Sequence, residues 1–191
     1  MSVKSLQHCH CLIVDHDVYM RRILRQMLRQ LGLGEIDEAK DGAQAFAMTG
    51  QTSFQIVITE LQMPIMGGVE LTGQIRHAKT VENAMPVIGY TSNITPELVT
   101  SARDSGINEL MTRPFSSGIL ERKLNLAVLN PRTFTRSPSY IGPCRRRKPL
   151  STYIGSRRRE ADRQAATPNA AIILTAASQD QLTKRFAKSP S

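Results

Sequence analysis

Glu60 is the carboxylate on which the first functional prediction rests. It ends an apolar, β-branched run that begins near Phe54, and such a run predicts a buried strand. Met63-Pro64 and Gly67-Gly68 follow it and predict a loop. In an open parallel sheet, side chains at the carboxyl ends of strands project into the crevice where ligands bind. The position of Glu60 therefore predicts a functional site at this edge of a sheet.

The elements that must position Glu60 recur along residues 8–130. Apolar runs alternate there with segments whose apolar residues are three or four positions apart, as in amphipathic helices. Asp17, Thr95 and Ser116 are predicted helix caps. This alternation predicts a doubly wound, five-stranded parallel sheet covered by five helices. The predicted strands span residues 9–14, 36–39, 54–60, 85–90 and 109–112.

The stretch from Phe54 to Gly68 resembles the phosphoacceptor segment of CheY-like response-regulator receiver domains. In that family an apolar strand is followed by Asp, two residues, Met-Pro, two further residues and usually Asp-Gly. Here Glu60 and Gly67 stand at the two Asp positions. The resemblance covers residues 8–130 and implies the flavodoxin-like receiver fold. It also implies a non-enzymatic role in two-component (phosphorelay) signal transduction, with a histidine kinase, a phosphotransfer protein or an output target as partner.

The resemblance also assigns positions to the site. In the family, an acidic cluster after the first strand holds Mg²⁺ together with the phosphoacceptor Asp. A hydroxyl after the fourth strand and a Lys after the fifth contact the phosphoryl group, and an aromatic residue in the fifth strand acts as a switch. The matching residues are Asp15, His16 and Asp17 for the acidic pocket, Glu60 for the phosphoacceptor, Thr91 and Arg113 for the phosphoryl contacts, and Leu110 for the switch.

Three of these positions depart from the chemistry that the family needs. His16 replaces a carboxylate, and imidazole is a poor ligand for Mg²⁺. Glu60 reaches about one bond further than Asp, and ~1 Å of misplacement can cost ~10²-fold in a positioned reaction. Arg113 keeps the charge of Lys but not its shape. We therefore expect a degenerate receiver with an impaired Mg²⁺ site, no cofactor and signalling by protein–protein contact.

The role of Glu60 leaves three alternatives open. Its charge could lock the domain towards the activated form, or it could be a retained acid in a pocket that no longer works. A working phosphoacceptor is the third hypothesis. A bidentate pair between Arg113 and Glu60 would satisfy both groups without metal or phosphate. Asp17 is expected to cap a helix rather than to bind a metal.

Residues 131–191 differ from the rest of the chain in charge. Residues 1–130 carry 12 Lys and Arg against 13 Asp and Glu, a net charge of −1, whereas residues 131–191 carry 13 against 3, a net charge of +10. With its prolines, this composition predicts a basic, largely disordered tail. Its last apolar positions predict either a short helix near residues 178–188 or an end without structure. A near-repeat of Tyr-Ile-Gly supplies two Arg triplets, which are Arg145, Arg146, Arg147, Arg157, Arg158 and Arg159.

The Arg triplets support a hypothesis from another class, a ligand- or polyanion-binding module. Arg and Tyr together suit phosphates and stacked bases. Arg-rich extensions in one CheY-like group capture cyclic di-GMP, so the resemblance suggests a cyclic dinucleotide or another polyanion. A merely solubilising tail is the competing interpretation. Sequence-specific DNA binding is not expected, because no helix-turn-helix pattern follows the receiver region.

Composition also predicts where the protein works. No segment approaches the ~18–20 apolar residues that a membrane span requires. The three cysteines give no disulfide framework, which favours a reducing compartment. We therefore expect a cytoplasmic protein.

Overall fold

A computed structural model describes residues 6–78 and 84–144 of the chain. Its central feature is a five-stranded parallel sheet with the strand order β2-β1-β3-β4-β5. This architecture confirms the predicted doubly wound sheet. The strands are β1 (His10–Val14), β2 (Glu35–Ala39), β3 (Ile56–Glu60), β4 (Val87–Thr91) and β5 (Glu109–Thr112).

Five α-helices follow the five strands in turn. They are α1 (Val18–Gln30), α2 (Gly42–Thr49), α3 (Gly68–His77), α4 (Pro96–Asp104) and α5 (Ser117–Leu124), and α5 continues as a π-helical segment (Asn125–Leu129). Within the described residues, none of these helices has both the length and the apolar character needed to span a bilayer.

Side chains from alternate strand positions enter two separate cores. On β3, Ile56 and Ile58 pack with α1 and α5, whereas Val57 packs with α2, α3 and α4. Successive residues of a strand point to opposite faces, so a strand buried on both sides must be apolar throughout. The apolar runs in the sequence reflect this double burial.

Polar side chains start the helices where the sequence predicts. Asp17 accepts a hydrogen bond from the backbone N–H of Tyr19, Thr95 accepts one from Leu98, and Ser116 accepts one from Ile119. Each bond satisfies a donor that the first turn of a helix leaves unpaired. These caps fix the loops after β1, β4 and β5, which carry the candidate site.

A β-hairpin extends the folded region beyond residue 130, where we placed the end of the domain. Its strands are β6 (Phe134–Ser137) and β7 (Tyr140–Pro143), paired antiparallel. The prediction that the disordered tail begins at residue 131 is therefore corrected for residues 131–144. The two Arg triplets and the predicted helix near residues 178–188 lie outside the described residues.

The hairpin packs against the receiver as well as pairing its own two strands. Phe134 lies over the guanidinium of Arg76 at 5.3 Å, and the backbone of β7 closely approaches Gly106, at the turn between α4 and β5. Arg76 is fully buried, and its guanidinium donates to the carbonyls of Met85 and Gly106. Burial lowers the pKa of Arg76 to about 9. Composition alone does not show such a contact, since it depends on groups far apart in the chain.

Candidate functional site

The carboxyl ends of four strands bring the predicted site residues to one edge of the sheet. Asp15 directly follows β1, Glu60 ends β3, Thr91 ends β4, and Arg113 directly follows β5. The parallel register places Glu60 beside Tyr90 on the neighbouring strand. The strand ends therefore bring Asp15, Glu60, Thr91 and Arg113 to the same edge of the sheet; that this edge is a functional site stays a prediction.

Glu60 is buried and has protein donors on both carboxylate oxygens. Its side chain is only 2% exposed. Oε2 accepts a hydrogen bond from Nη2 of Arg113 at 2.9 Å. Oε1 accepts from the backbone N–H groups of Leu61 at 2.9 Å and Gln62 at 3.3 Å. Protein donors therefore contact both oxygens of the carboxylate.

The Arg113–Glu60 pair differs in one respect from the prediction. One guanidinium N–H reaches Glu60, so the pair is not bidentate. The other carboxylate oxygen, Oε1, accepts from the backbone N–H groups after β3 instead of from Arg113. The Nε of Arg113 is buried without a hydrogen-bond partner among the described residues.

Burial dominates the electrostatics of Glu60. Removal from water raises the pKa of Glu60 above its ordinary value, although the N–H of Gln62 and the charge of Arg113 oppose the shift. The charge of Asp15 raises the pKa further. The negative charges of Asp15 and Glu60 therefore repel each other across the site.

Asp15 is also buried, and its oxygens are held by two donors. Oδ1 accepts the backbone N–H of Asp17 at 2.8 Å, and Oδ2 accepts the hydroxyl of Tyr90 at 2.5 Å. The Nδ1 of His16 lies 3.4 Å from Oδ1, and the His16 side chain is half exposed. Asp17 caps α1, as predicted, with its side chain on the N–H of Tyr19.

Tyr90 contacts the site residues, although the sequence indicates only a place in the predicted strand over residues 85–90. Its side chain is fully buried, the guanidinium of Arg113 lies 5.7 Å from its ring centroid, and Phe115 meets the ring edge-on. The available signal was its position beside Thr91, because side chains near the carboxyl end of a central strand lie close to the pocket.

The remaining predicted positions contribute less to this network. The Thr91 hydroxyl is buried and accepts a weak hydrogen bond from the N–H of Asn93 at 3.3 Å. Leu110 packs against the core formed with α2, α3 and α4. An aliphatic side chain there cannot reproduce a switch that depends on an aromatic ring.

The donor set does not fit the Mg²⁺ ion that the fold family implies. Mg²⁺ takes hard oxygen ligands in near-octahedral geometry, and protein donors compete with it for carboxylate oxygens. The oxygens of Asp15 and Glu60 accept hydrogen bonds from the protein, and His16 offers a nitrogen. Among the described residues, no group of three or more His, Cys, Asp or Glu side chains is arranged to hold a metal.

A family model and curated relatives match the folded region of the chain. The family model of the response regulator receiver domain matches residues 11–125. The chain is 35% identical over 114 residues to chemotaxis protein CheY-3 of Vibrio cholerae, covering 60% of this chain and 87% of that protein.

Two solved structures show the same fold at lower sequence identity. Chemotaxis protein CheY4 of Vibrio cholerae superposes with a TM-score of 0.58 at 24% identity, covering 62% of this chain and 98% of that one. The receiver domain of sensor histidine kinase PA1611 from Pseudomonas aeruginosa, with a magnesium ion coordinated in its active-site cleft, superposes with a TM-score of 0.58 at 22% identity, covering 63% of this chain and 97% of that one. The sheet order, the convergence of four strand ends and the family match lead to one conclusion: the chain belongs to the response regulator receiver domain family.

Proposed function

We propose that this receiver works in two-component signalling by protein–protein contact and without phosphorylation of its pocket. The observation that carries the proposal is the state of Glu60. The side chain at the phosphoacceptor position is buried, and donors from Arg113 and from the backbone after β3 occupy both of its oxygens. Its chemical role is to complete a closed hydrogen-bond network.

A nucleophilic role would require Glu60 to leave this network. The attacking oxygen needs a free lone pair aimed at phosphorus, at a distance set to within a few tenths of an ångström. Moving Oε2 away from Arg113 would break an ion pair with little exposure to water. The family reaction also needs a divalent cation, for which Asp15 and His16 are poorly suited. These features argue against Glu60 as a phosphoacceptor.

The Glu60–Arg113 pair favours a locked domain over an inert one. Arg113 lies in the loop between β5 and α5, so its contact with Glu60 ties β3 to the start of α5. The charge of Glu60 at the end of β3 thereby holds the position of the loop between β5 and α5. This loop leads to the surface formed by α4, β5 and α5. We propose that this surface, roughly residues 95–130, contacts the partner.

The proposed surface carries side chains that suit a protein partner. Exposed aliphatic residues contribute most to protein contacts when they lie close together at the centre of a polar surface. The partner class is a histidine kinase, a phosphotransfer protein or an output target in the cytoplasm. The exposed aliphatic side chains of this surface are Val99, Ile119, Leu126 and Leu129.

Partner capture with and without a phosphodonor tests the proposal. The immobilised full chain is exposed to cell lysate, and the captured protein is quantified before and after incubation with Mg²⁺ and acetyl phosphate. We expect equal capture in both conditions and weaker capture by Glu60→Gln. Glu70→Gln, at an exposed position on α3, is the matched control and should bind like the natural chain. Capture that increases several-fold with the phosphodonor would contradict the proposal.

A second candidate function concerns the two Arg triplets, which lie outside the described residues. We propose, as this alternative, that residues 145–147 and 157–159 bind a polyanion such as a cyclic dinucleotide. Residues 131–191, which include both triplets, carry 13 Lys and Arg against 3 Asp and Glu, and this excess of positive charge suits a polyanion. Binding of cyclic di-GMP should fall steeply with salt and vanish when both triplets become Ala, whereas equal binding by residues 1–144 would exclude this role.

A further inference from the structure

We propose that Tyr90 is the positioning residue that holds this pocket together in place of a divalent cation and excludes Mg²⁺ from it. The inference deepens the proposed function and rests on it for the meaning of the closed pocket. Tyr90 lies between the two halves of the site, with its hydroxyl on Asp15 and its ring beside Arg113. It therefore links the acid after β1 to the ion pair between β3 and β5.

The hydroxyl of Tyr90 competes with a metal ion or a metal-bound water for Oδ2 of Asp15. Asp15 Oδ2 accepts this hydroxyl at 2.5 Å, and Oδ1 accepts the N–H of Asp17. Asp15 and Tyr90 are both fully buried. A cation that drew Oδ2 away would leave a buried hydroxyl without a partner, which is costly in the interior of a protein.

The hydroxyl remains a donor over the whole physiological range. A tyrosine hydroxyl has an ordinary pKa of about 10, so Tyr90 is neutral at physiological pH and donates a hydrogen bond to Oδ2 of Asp15. A neutral donor stabilises one carboxylate without adding a charge that would compete with Arg113 for Glu60.

The ring of Tyr90 supports the other half of the pocket. The guanidinium carbon of Arg113 lies 5.7 Å from the ring centroid, within the range of a cation–π interaction. Phe115 contacts the same ring edge-on and limits its movement. The ring thus favours the position from which Nη2 of Arg113 reaches Glu60. In this way the Tyr90 side chain holds Asp15 directly and orients Arg113, the partner of Glu60.

Restoring a metal-binding acid provides the background for the test. His16→Asp supplies the carboxylate that the family carries, and Mg²⁺ affinity is measured by isothermal titration with and without Tyr90→Phe. Phe keeps the ring and removes only the hydroxyl. We expect Tyr90→Phe to tighten Mg²⁺ binding about ten- to a hundredfold. This is the change in affinity that corresponds to the free energy of one hydrogen bond to a charged group.

Tyr19→Phe is the matched control, because Tyr19 lies near the start of α1 with 69% of its surface exposed. It should leave Mg²⁺ affinity unchanged. Equal Mg²⁺ affinity with Tyr or Phe at position 90, in folded proteins, would overturn the inference. If the His16→Asp protein does not fold, the same test is made with His16 in place, by measuring how much Mg²⁺ raises the melting temperature. This rise must then be larger for Tyr90→Phe than for Tyr19→Phe.

These outcomes are separable from those of the proposed function. Phosphodonor-dependent partner binding would refute signalling without phosphorylation and would leave the metal result standing. An unchanged Mg²⁺ affinity would remove Tyr90 from its role and would leave the behaviour of Glu60 untouched.

Discussion

Replacing Arg113 by Ala should destabilise the receiver far more than replacing Glu60 by Gln. Arg113→Ala leaves the carboxylate of Glu60, which is 2% exposed, without its counter-ion. Glu60→Gln leaves a guanidinium that is 26% exposed and can turn towards water. The two variants remove the same ion pair, and the difference between them isolates the cost of a stranded buried charge.

The size of the effect follows from burial and from the remaining donors. Stranding one partner of a fully buried ion pair costs about 3–5 kcal/mol. The partial exposure of Arg113 and the two backbone N–H groups that stay on Oε1 reduce this cost. We therefore expect Arg113→Ala to lower the free energy of unfolding by about 1–3 kcal/mol and Glu60→Gln to lower it by less than about 1 kcal/mol.

Urea denaturation followed by circular dichroism measures both values at neutral pH. Arg22→Ala, at an exposed position on α1, is the matched control and should stay within about 0.5 kcal/mol of the natural chain. The loss in Arg113→Ala should shrink in acid, because a protonated Glu60 no longer needs a counter-ion. The reasoning fails if Arg113→Ala is no less stable than Glu60→Gln at neutral pH.

Three further perturbations test the fold and the electrostatics. Gly106→Ala should destabilise the folded receiver by about 1–3 kcal/mol in thermal unfolding. The reason is that Gly106 has φ of +92° and that an added Cβ would lie 2.7 Å from the carbonyl oxygen of Ile141. An unchanged melting temperature would contradict the close approach of the hairpin. Truncation after residue 130 should lower the melting temperature relative to truncation after residue 144, because only the first removes the hairpin; equal melting temperatures would show that the hairpin adds no stability. The folded pKa of Glu60 is raised above 4.5, so its favourable contribution is present below pH 4.5 and is lost as pH rises through the folded pKa. The stability of Glu60→Gln relative to the natural chain should therefore rise between pH 4 and pH 7, and a difference that is flat or falls would refute the assigned direction.

The sequence predicts the sheet and its edge well, because both depend on local pattern. A strand buried on both faces, such as β3, must be apolar throughout, and that run is visible in the sequence. The residues that end these strands must meet at one edge once the strands are parallel. The caps at Asp17, Thr95 and Ser116 are equally local, and all three form.

Features that depend on distant contacts could not be predicted in the same way. The hairpin follows a proline and lies in a basic segment, and it contacts Arg76 and Gly106, which no local pattern connects to it. Tyr90 fits the strand pattern as an ordinary core residue, and its bond to Asp15 joins residues 75 positions apart. The single contact of Arg113 with Glu60 depends on the backbone N–H groups after β3, which donate to the other carboxylate oxygen, and on the placement of a residue 53 positions away.

Intact mass after phosphodonor treatment tests the closed pocket most directly. The full chain is incubated with Mg²⁺ and acetyl phosphate beside an ordinary receiver that carries Asp at the phosphoacceptor position. If Glu60 is held by Arg113 and by the backbone, its mass stays unchanged while the ordinary receiver gains one phosphoryl group. A phosphoryl adduct on this chain that disappears in Glu60→Gln would show that Glu60 leaves the network and acts as a phosphoacceptor, and the proposal of a phosphorylation-independent receiver would be wrong.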